Sequence, residues 1–351
     1  MTPSRPTASR QAPSRQAPSR QAPSRQAASR PAAALAAGHV LPEPDPGAAR
    51  DWLAPFEIDL RLTLGVHRRG PGDPAYRADA SGAVWRTVLT PDGPGTLRVT
   101  SRRPEGPGTL VTGQAWGPGA GWLLESLPAQ LGAHDDPSAL APRHPVIADL
   151  ALRYSGLRIG RTCRVFEALV PAVLEQKVVG REAHRAWRIL LRKFGEPAPG
   201  PAPAGMRVVP PPRAWARIPS WDWHRAGVEG VRARTIITAA GVAGHLEEIG
   251  DLDPPEADHR LRSIPGIGAW TSAEIRQRAA GDPDAVSVGD YHLPSVVGWT
   301  LAGRITDDAG MLELLAPYAG HRYRVTRLIE LGGSAPPRRG PHLPVRDYRS
   351  F

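Results

Sequence analysis

The stretch that decides the fold is LRSIPGIGAWTSAEIRQRAAG (residues 261–281), continued after a short loop by VSVGDYHLPSVVGWTLAG (residues 286–303). It reads as a helix, a glycine hairpin at Ile264-Pro265-Gly266-Ile267-Gly268, a second helix, and an acidic residue, Asp290, at the start of a third. Pro265 cannot continue a helix, and two glycines separated by one residue admit backbone angles and close approaches that a β-carbon obstructs. Residues 269–280 then carry Trp270, Ala273, Ile275 and Ala279 at helical spacing. The amides of Gly266, Gly268 and Ala269 are therefore expected to project from a helix N-terminus, which is an anion site suited to a phosphate. Alone, the five-residue string is equally an ordinary glycine-broken turn. Asp290 separates the two readings, although an aspartate opening a helix is also a favoured cap.

The whole arrangement resembles the helix-hairpin-helix superfamily of DNA base-excision glycosylases, where a hairpin of this form is followed by an aspartate that opens a helix. The resemblance is closest to the alkylation-repair branch, the DNA-3-methyladenine glycosylase II type. Residues 164–195 (RVFEALVPAVLEQKVVGREAHRAWRILLRKFG) look like the preceding helical segment of that family. Residues 227–240 (GVEGVRARTIITAA) look like the helix before the hairpin, and residues 317–331 (PYAGHRYRVTRLIEL) like the closing helix. The similarity runs from about residue 52 to residue 335. It implies an α+β chain: a small N-terminal antiparallel sheet with a helix, followed by an all-α helix-hairpin-helix glycosylase core.

The rest of the chain reads consistently with this. Its 351 residues, 41% hydrophobic, are enough for two or three packed units. A single cysteine, Cys163, rules out an internal disulfide and any cysteine-ligated zinc or iron–sulfur cluster. No apolar run approaches the ~20 residues of a membrane helix, and no secretory signal opens the chain, so a cytoplasmic, nucleoid-associated protein is expected. The formal net charge of +10 suits a polyanionic partner. Six of those charges are the arginines at positions 5, 10, 15, 20, 25 and 30, in a Ser-Arg-Gln-Ala-Pro repeat without acidic residues. Residues 1–48 are accordingly expected to be a disordered basic tail, either a tether that raises non-specific DNA affinity or a dispensable expansion.

From Phe56 the pattern alternates. Phe56, Ile58, Leu60, Leu62 and Leu64 predict a strand, with further strands at 84–90, 96–102 and near 109–116, and a helix at 122–131. These make an N-terminal α+β domain over 52–140. Helical spacing governs 144–335, where Arg181, Arg185, Arg188 and Arg192 form a basic stripe that also reads as a solvated face. Residues 336–351 read as a C-terminal tail.

A glycosylase takes a base out of the duplex and cleaves its bond to the sugar. Positive charge develops on the deoxyribose, and a fixed carboxylate opposite it stabilises that charge and orients the attacking water. The resemblance implies this role for Asp290. Two positions after Gly268, where bifunctional relatives hold a lysine, the chain has Trp270, which implies a monofunctional enzyme without lyase activity. The resemblance places this indole against the extruded base; a cationic methylated purine, 3-methyladenine or 7-methylguanine, would gain about 0.5 to 2 kcal/mol from its face. An aromatic anchor between helices is the plainer reading. Tyr291 is a second candidate for the base pocket.

Pro265, Gly266, Ile267, Gly268, Ala269 and Thr271 are expected to meet DNA, as are Gln176 and Lys177. Lys177 stands where relatives insert an apolar wedge into the base stack, and Arg327 and Leu328 stand in the closing helix where some relatives present another pocket tryptophan. Carbonyls of Arg262, Ile264 and Ile267 are the implied ligands of a sodium or potassium ion, with no other cofactor required. The expected partner of a monomeric chain is double-stranded DNA containing damaged bases, with no membrane involvement. The alternatives are a helix-hairpin-helix DNA-binding protein that has lost catalysis, and an oxidised-purine glycosylase, which would carry a lysine at Trp270.

Overall fold

A computed structural model of the chain describes residues 47–337; the basic repeat and the C-terminal tail lie outside the described residues, save for the few positions at their inner ends. In chain order the elements are β1 (Ala48–Ala54), α1 (Leu60–Leu64), β2 (Tyr76–Ala78), β3 (Val84–Thr90), β4 (Gly93–Arg102), β5 (Thr109–Trp116), α2 (Ala120–Gln130), α3 (Pro145–Arg153), α4 (Val165–Leu174) and α5 (Gly180–Phe194). There follow β6 (Glu196–Pro197), β7 (Arg207–Val208), α6 (Pro212–Trp215), α7 (Ser220–Ala226), α8 (Gly230–Gly241), α9 (Ala243–Glu247), α10 (Pro254–Arg262), α11 (Ala269–Ala279), α12 (Leu293–Ala302), α13 (Asp308–Leu315) and α14 (Arg322–Gly332). The architecture is mixed α+β. Among the described residues no helix is long and apolar enough to cross a membrane.

Five strands form one antiparallel sheet in the order β1-β5-β4-β3-β2. Thr90 pairs with Gly93, so the β3–β4 turn has only Pro91 and Asp92 at its tip, and Gly93 takes the positive φ of 123° that this tight reversal requires. Val84, Val88, Leu97, Val99 and Val111 pack on Leu123 and Leu127 of α2.

Two expectations are corrected here. The alternating run 56–64 is not a strand: Asp59 caps a short helix, its Oδ1 accepting from the amides of Arg61 (2.8 Å) and Leu62 (3.0 Å). Leu60 and Leu64 are both buried; residues four apart satisfy the helical period as well as the two-residue one, and the aspartate cap decides between them. The strand beside β5 is instead β1, which begins at Ala48, inside the span read as tail, and pairs Ala48 with Ala115 through to Ala54 with Thr109. As an edge strand it is largely exposed and carries no apolar alternation to announce it.

The helices enclose two cores. Every residue of α4 except Glu167 is buried, as expected of a helix apolar all round, and α5, α8, α10 and α11 gather about it. A second core joins α3, α12, α13 and α14 through Ile147, Leu150, Val297, Met311 and Leu328. Charged contacts tie the sheet to the helices: Arg86 binds Gln130 (2.8 Å) and Glu167 (2.9 Å). On α5, Arg188 donates to the Pro71 carbonyl (3.2 Å), so the basic stripe is in part a structural contact.

Candidate active site at the glycine hairpin

Helix α10 is capped by Asp253, whose side chain accepts from the Glu256 amide (2.9 Å), and opens on Pro254. It ends at Arg262, and the chain reverses through hydrogen bonds from Ile264 N to Leu261 O (3.2 Å) and from Ile267 N to Ile264 O (3.0 Å). Ile264 and Ile267 are buried and fasten the reversal to the main core, while Pro265, Gly266, Gly268 and Ala269 form its exposed edge.

The two glycines serve different ends. Gly266 has φ of 91°, and a β-carbon there would lie 2.0 Å from Thr235 Oγ1. Gly268 is extended, precedes α11 without a side-chain cap, and would present a β-carbon to open space. One glycine lets the turn pack inward; the other leaves the first amides of α11 approachable from outside. Gly266→Ala is therefore expected to lower the unfolding free energy by about 2 kcal/mol or more. Gly268→Ala should leave the thermal midpoint within a degree or two, yet weaken DNA binding measured by fluorescence anisotropy.

Asp290 and Trp270, twenty positions apart in the chain, meet. Asp290 Oδ1 accepts from the amides of His292 (2.8 Å) and Leu293 (2.9 Å), and Oδ2 accepts from Trp270 Nε1 (3.1 Å). One oxygen of Asp290 thus holds the amides at the entry to α12, as a capping aspartate would, and the other is held by the indole of Trp270. A carboxylate has about four acceptor positions, so one remains for a ligand or water. Tyr291 is 77% exposed, set edge-on to His292 with ring centroids 4.8 Å apart, and lies on the surface beside Asp290.

The loop carrying Asp290 is held from beneath by α11. Gln277 Nε2 donates to the Ala285 carbonyl and to Ser287 Oγ, each at 2.9 Å. Ser287 Oγ donates to Glu274 Oε1 (2.6 Å), and Arg278 Nη1 donates to Glu274 Oε2 (2.8 Å). Sequence reasoning passed over Glu274, although it follows Trp270 by four residues and so shares its helical face.

The turn between α4 and α5 is bolted to the hairpin. Gln176 Nε2 donates to the Gly266 carbonyl and to Thr271 Oγ1, both at 2.9 Å. Thr271 is only 2% exposed, so its expected contact with DNA through the side chain is corrected: the hydroxyl is spent on this internal clasp. Gln176 likewise uses its amide nitrogen inside the protein. Lys177, at the exposed tip, has φ of 53°, a left-handed conformation rare for a residue with a β-carbon. Beside it, Glu175 binds Arg69 of the sheet unit at 3.0 and 3.2 Å, with His184 at 3.7 Å. Burial opposes ionisation of Glu175, but Arg69, His184 and the charge of Arg278 outweigh it and bring the carboxyl down to about 2.

In the closing helix Leu328 is buried in the second core, and Arg327 pairs with Glu330 (3.0 Å). The Arg262 and Ile267 carbonyls take no hydrogen bond from a backbone amide among the described residues, whereas that of Ile264 accepts from Ile267. Two of the three oxygens expected to meet a monovalent cation are thus uncommitted within the backbone.

No family model matches the chain. Over 171 residues it is 30% identical to a protein of Mycobacterium tuberculosis described as a probable bifunctional transcriptional activator/DNA repair enzyme AlkA. That match takes in 48% of this chain and 32% of the relative, so the chain spans about a third of the relative's length. Among solved structures it is similar to a 3-methyladenine DNA-glycosylase from Archaeoglobus fulgidus, with a TM-score of 0.63 at 17% identity, over 80% of this chain and 97% of the other. It is also similar to an 8-oxoguanine glycosylase/lyase of Clostridium acetobutylicum solved with double-stranded DNA, with a TM-score of 0.60 at 12% identity, over 79% and 91% of the two chains.

Proposed function

We propose that the chain is a member of the helix-hairpin-helix DNA glycosylase superfamily, in its alkylation-repair branch, and a monofunctional glycosylase excising alkylated purines from duplex DNA in base excision repair; the 30% identity to a DNA repair enzyme and the shared fold support this reading. The observation that carries this reading is the Trp270–Asp290 hydrogen bond beside the exposed edge of the hairpin. A purely capping aspartate needs no indole aimed at its second oxygen.

Each part has a physical task. The backbone edge from Pro265 to Ala269 receives a phosphate at the N-terminus of α11. The uncommitted carbonyls of Arg262 and Ile267, with that of Ile264, suit a sodium or potassium ion, which would add positive charge beside the same phosphate. Lys177, held in a strained turn by Gln176 and Glu175, reaches the duplex where the base has left, its stem filling space and its head pairing a phosphate. The indole face of Trp270 meets the cationic base, and Asp290 faces the sugar as positive charge develops there.

Asp290 also orients the water that attacks the anomeric carbon and accepts the proton that water sheds. The base leaves as the neutral purine, its bonding electrons relieving the charge that alkylation placed on the ring. Trp270 has no amine to form a Schiff base, so the product is an intact strand with an abasic site.

Duplex DNA containing 7-methylguanine, incubated with the full-length protein, should break at the lesion only after heating in alkali, and borohydride should trap no covalent complex. Strand breakage without alkali, or a trapped complex, would reject the monofunctional assignment. Trp270→Phe keeps an aromatic face but loses the N–H to Asp290, and single-turnover base release is expected to slow about tenfold.

A further inference from the structure

The side chains beneath Asp290 form one connected chain of hydrogen bonds, and this chain reaches the N-terminal sheet unit. Gln277 and Ser287 are 4% and 5% exposed. Gln277 Nε2 faces the Ala285 carbonyl, which can only accept, so the amide orientation is fixed with nitrogen toward Ala285 and Ser287. Ser287 Oγ therefore accepts from Gln277 and must place its own proton on Glu274 Oε1 (2.6 Å). Glu274 receives a second donor from Arg278 Nη1 (2.8 Å), and Arg278 Nε donates to the Val66 carbonyl (3.2 Å), in the segment that follows α1. The donors from Gln277 through Ser287 run one way to Glu274, where they meet the Arg278 guanidinium donating from the other side, and linked hydrogen bonds of this kind strengthen one another.

From this geometry we infer that Glu274 is a positioning residue for Asp290. It holds the 285–290 loop at a fixed height on α11 through Ser287, and it is held in turn by an arginine anchored on the sheet unit. Two further observations support this. Asp290 N donates to the Ser287 carbonyl (3.3 Å), so Ser287 and Asp290 belong to one tight turn, and Gly289, between them, has φ of 90°. A shift at Ser287 passes to Asp290 with little slack. The N-terminal sheet unit thereby gains a role in the reaction without touching the substrate.

The inference rests on the proposed glycosylase function, and the test separates the two. Ser287→Ala cuts the link between Glu274 and the loop while leaving the Glu274–Arg278 ion pair in place, and Ser287→Thr keeps the hydroxyl. In single-turnover release of 7-methylguanine from a duplex, Ser287→Ala is expected to be about tenfold slower. Its affinity for abasic-site duplex should stay within twofold of wild type, and Ser287→Thr should recover most of the rate. In the same protein without DNA, the backbone amides of residues 287–293 are expected to exchange with deuterium about tenfold faster in Ser287→Ala.

Unchanged release and unchanged exchange in Ser287→Ala would overturn the positioning role. So would equal slowing in the alanine and threonine variants. If the wild type releases no base from any methylated duplex, the glycosylase reading fails, while the exchange measurement still decides whether Glu274 holds the loop.

Discussion

Asp290→Asn is expected to release an alkylated purine on the order of a hundredfold more slowly than the wild type, or slower still, while remaining folded and able to bind DNA. The reasoning lies in two duties of the carboxylate, one seen in its hydrogen bonds and one proposed for the reaction. Oδ1 satisfies the amides of His292 and Leu293, and an asparagine carbonyl meets the same need, since asparagine caps as well as aspartate does. The second duty needs negative charge opposite the sugar, and the amide has none. Its NH2 group would moreover face the Trp270 N–H now bound by Oδ2, placing donor against donor. Single-turnover kinetics on a 7-methylguanine duplex, beside an anisotropy titration with abasic-site duplex and a thermal melt, would read the two duties apart. A loss of folding equal to the loss of rate would mean that the residue is only a cap.

The largest stability effect is expected at Glu175. Its carboxylate and the guanidinium of Arg69 are both largely buried, with 18% and 7% of the side chains exposed. Glu175→Gln leaves Arg69 charged and without its partner in the interior, which costs about 3 to 5 kcal/mol by urea unfolding at neutral pH. The same residue sets a pH dependence. Its carboxyl lies at about 2 in the folded chain against an ordinary 4.5, so the stabilisation is fully present above pH 4.5 and is lost as the pH falls from there toward 2. From that shift the gap between wild type and Glu175→Gln is expected to narrow by roughly 2 kcal/mol between pH 5 and pH 3. A gap that stayed constant across this range would show that Glu175 contributes packing alone. Because Gln176 and Lys177 follow directly, weakened DNA binding should accompany the loss.

How much of this was legible in the sequence depended on the distance over which each feature is encoded. The hairpin, α11 and the aspartate opening α12 are local, written in Pro265, Gly266, Gly268 and a helical apolar period. The strands β3 and β5 were legible for the same reason. The Trp270–Asp290 contact was not, because two residues separated by a helix and a loop carry no mutual signal until both are placed. The same holds for Arg69 and Glu175, which lie 106 positions apart. Edge strand β1 was missed because exposure removes its alternation. At 56–64 the apolar spacing fitted two periods, and the cap at Asp59 favoured the helix. Thr271 sits next to residues at the exposed edge of the hairpin, yet its helical position turns its hydroxyl inward to Gln176.

In the proposed function, Trp270 in place of a lysine and Asp290 bonded to that tryptophan serve one reaction, hydrolysis that frees a purine and leaves the strand whole. The most direct measurement is therefore of the base itself. Full-length protein in excess over a duplex containing a single 7-methylguanine should liberate free 7-methylguanine, detected by chromatography and mass spectrometry, with the strand unbroken until alkali is added and with Asp290→Asn releasing almost none. Tight binding of that duplex by the wild type with no free base, or release by Asp290→Asn at the wild-type rate, would contradict catalysis by Asp290.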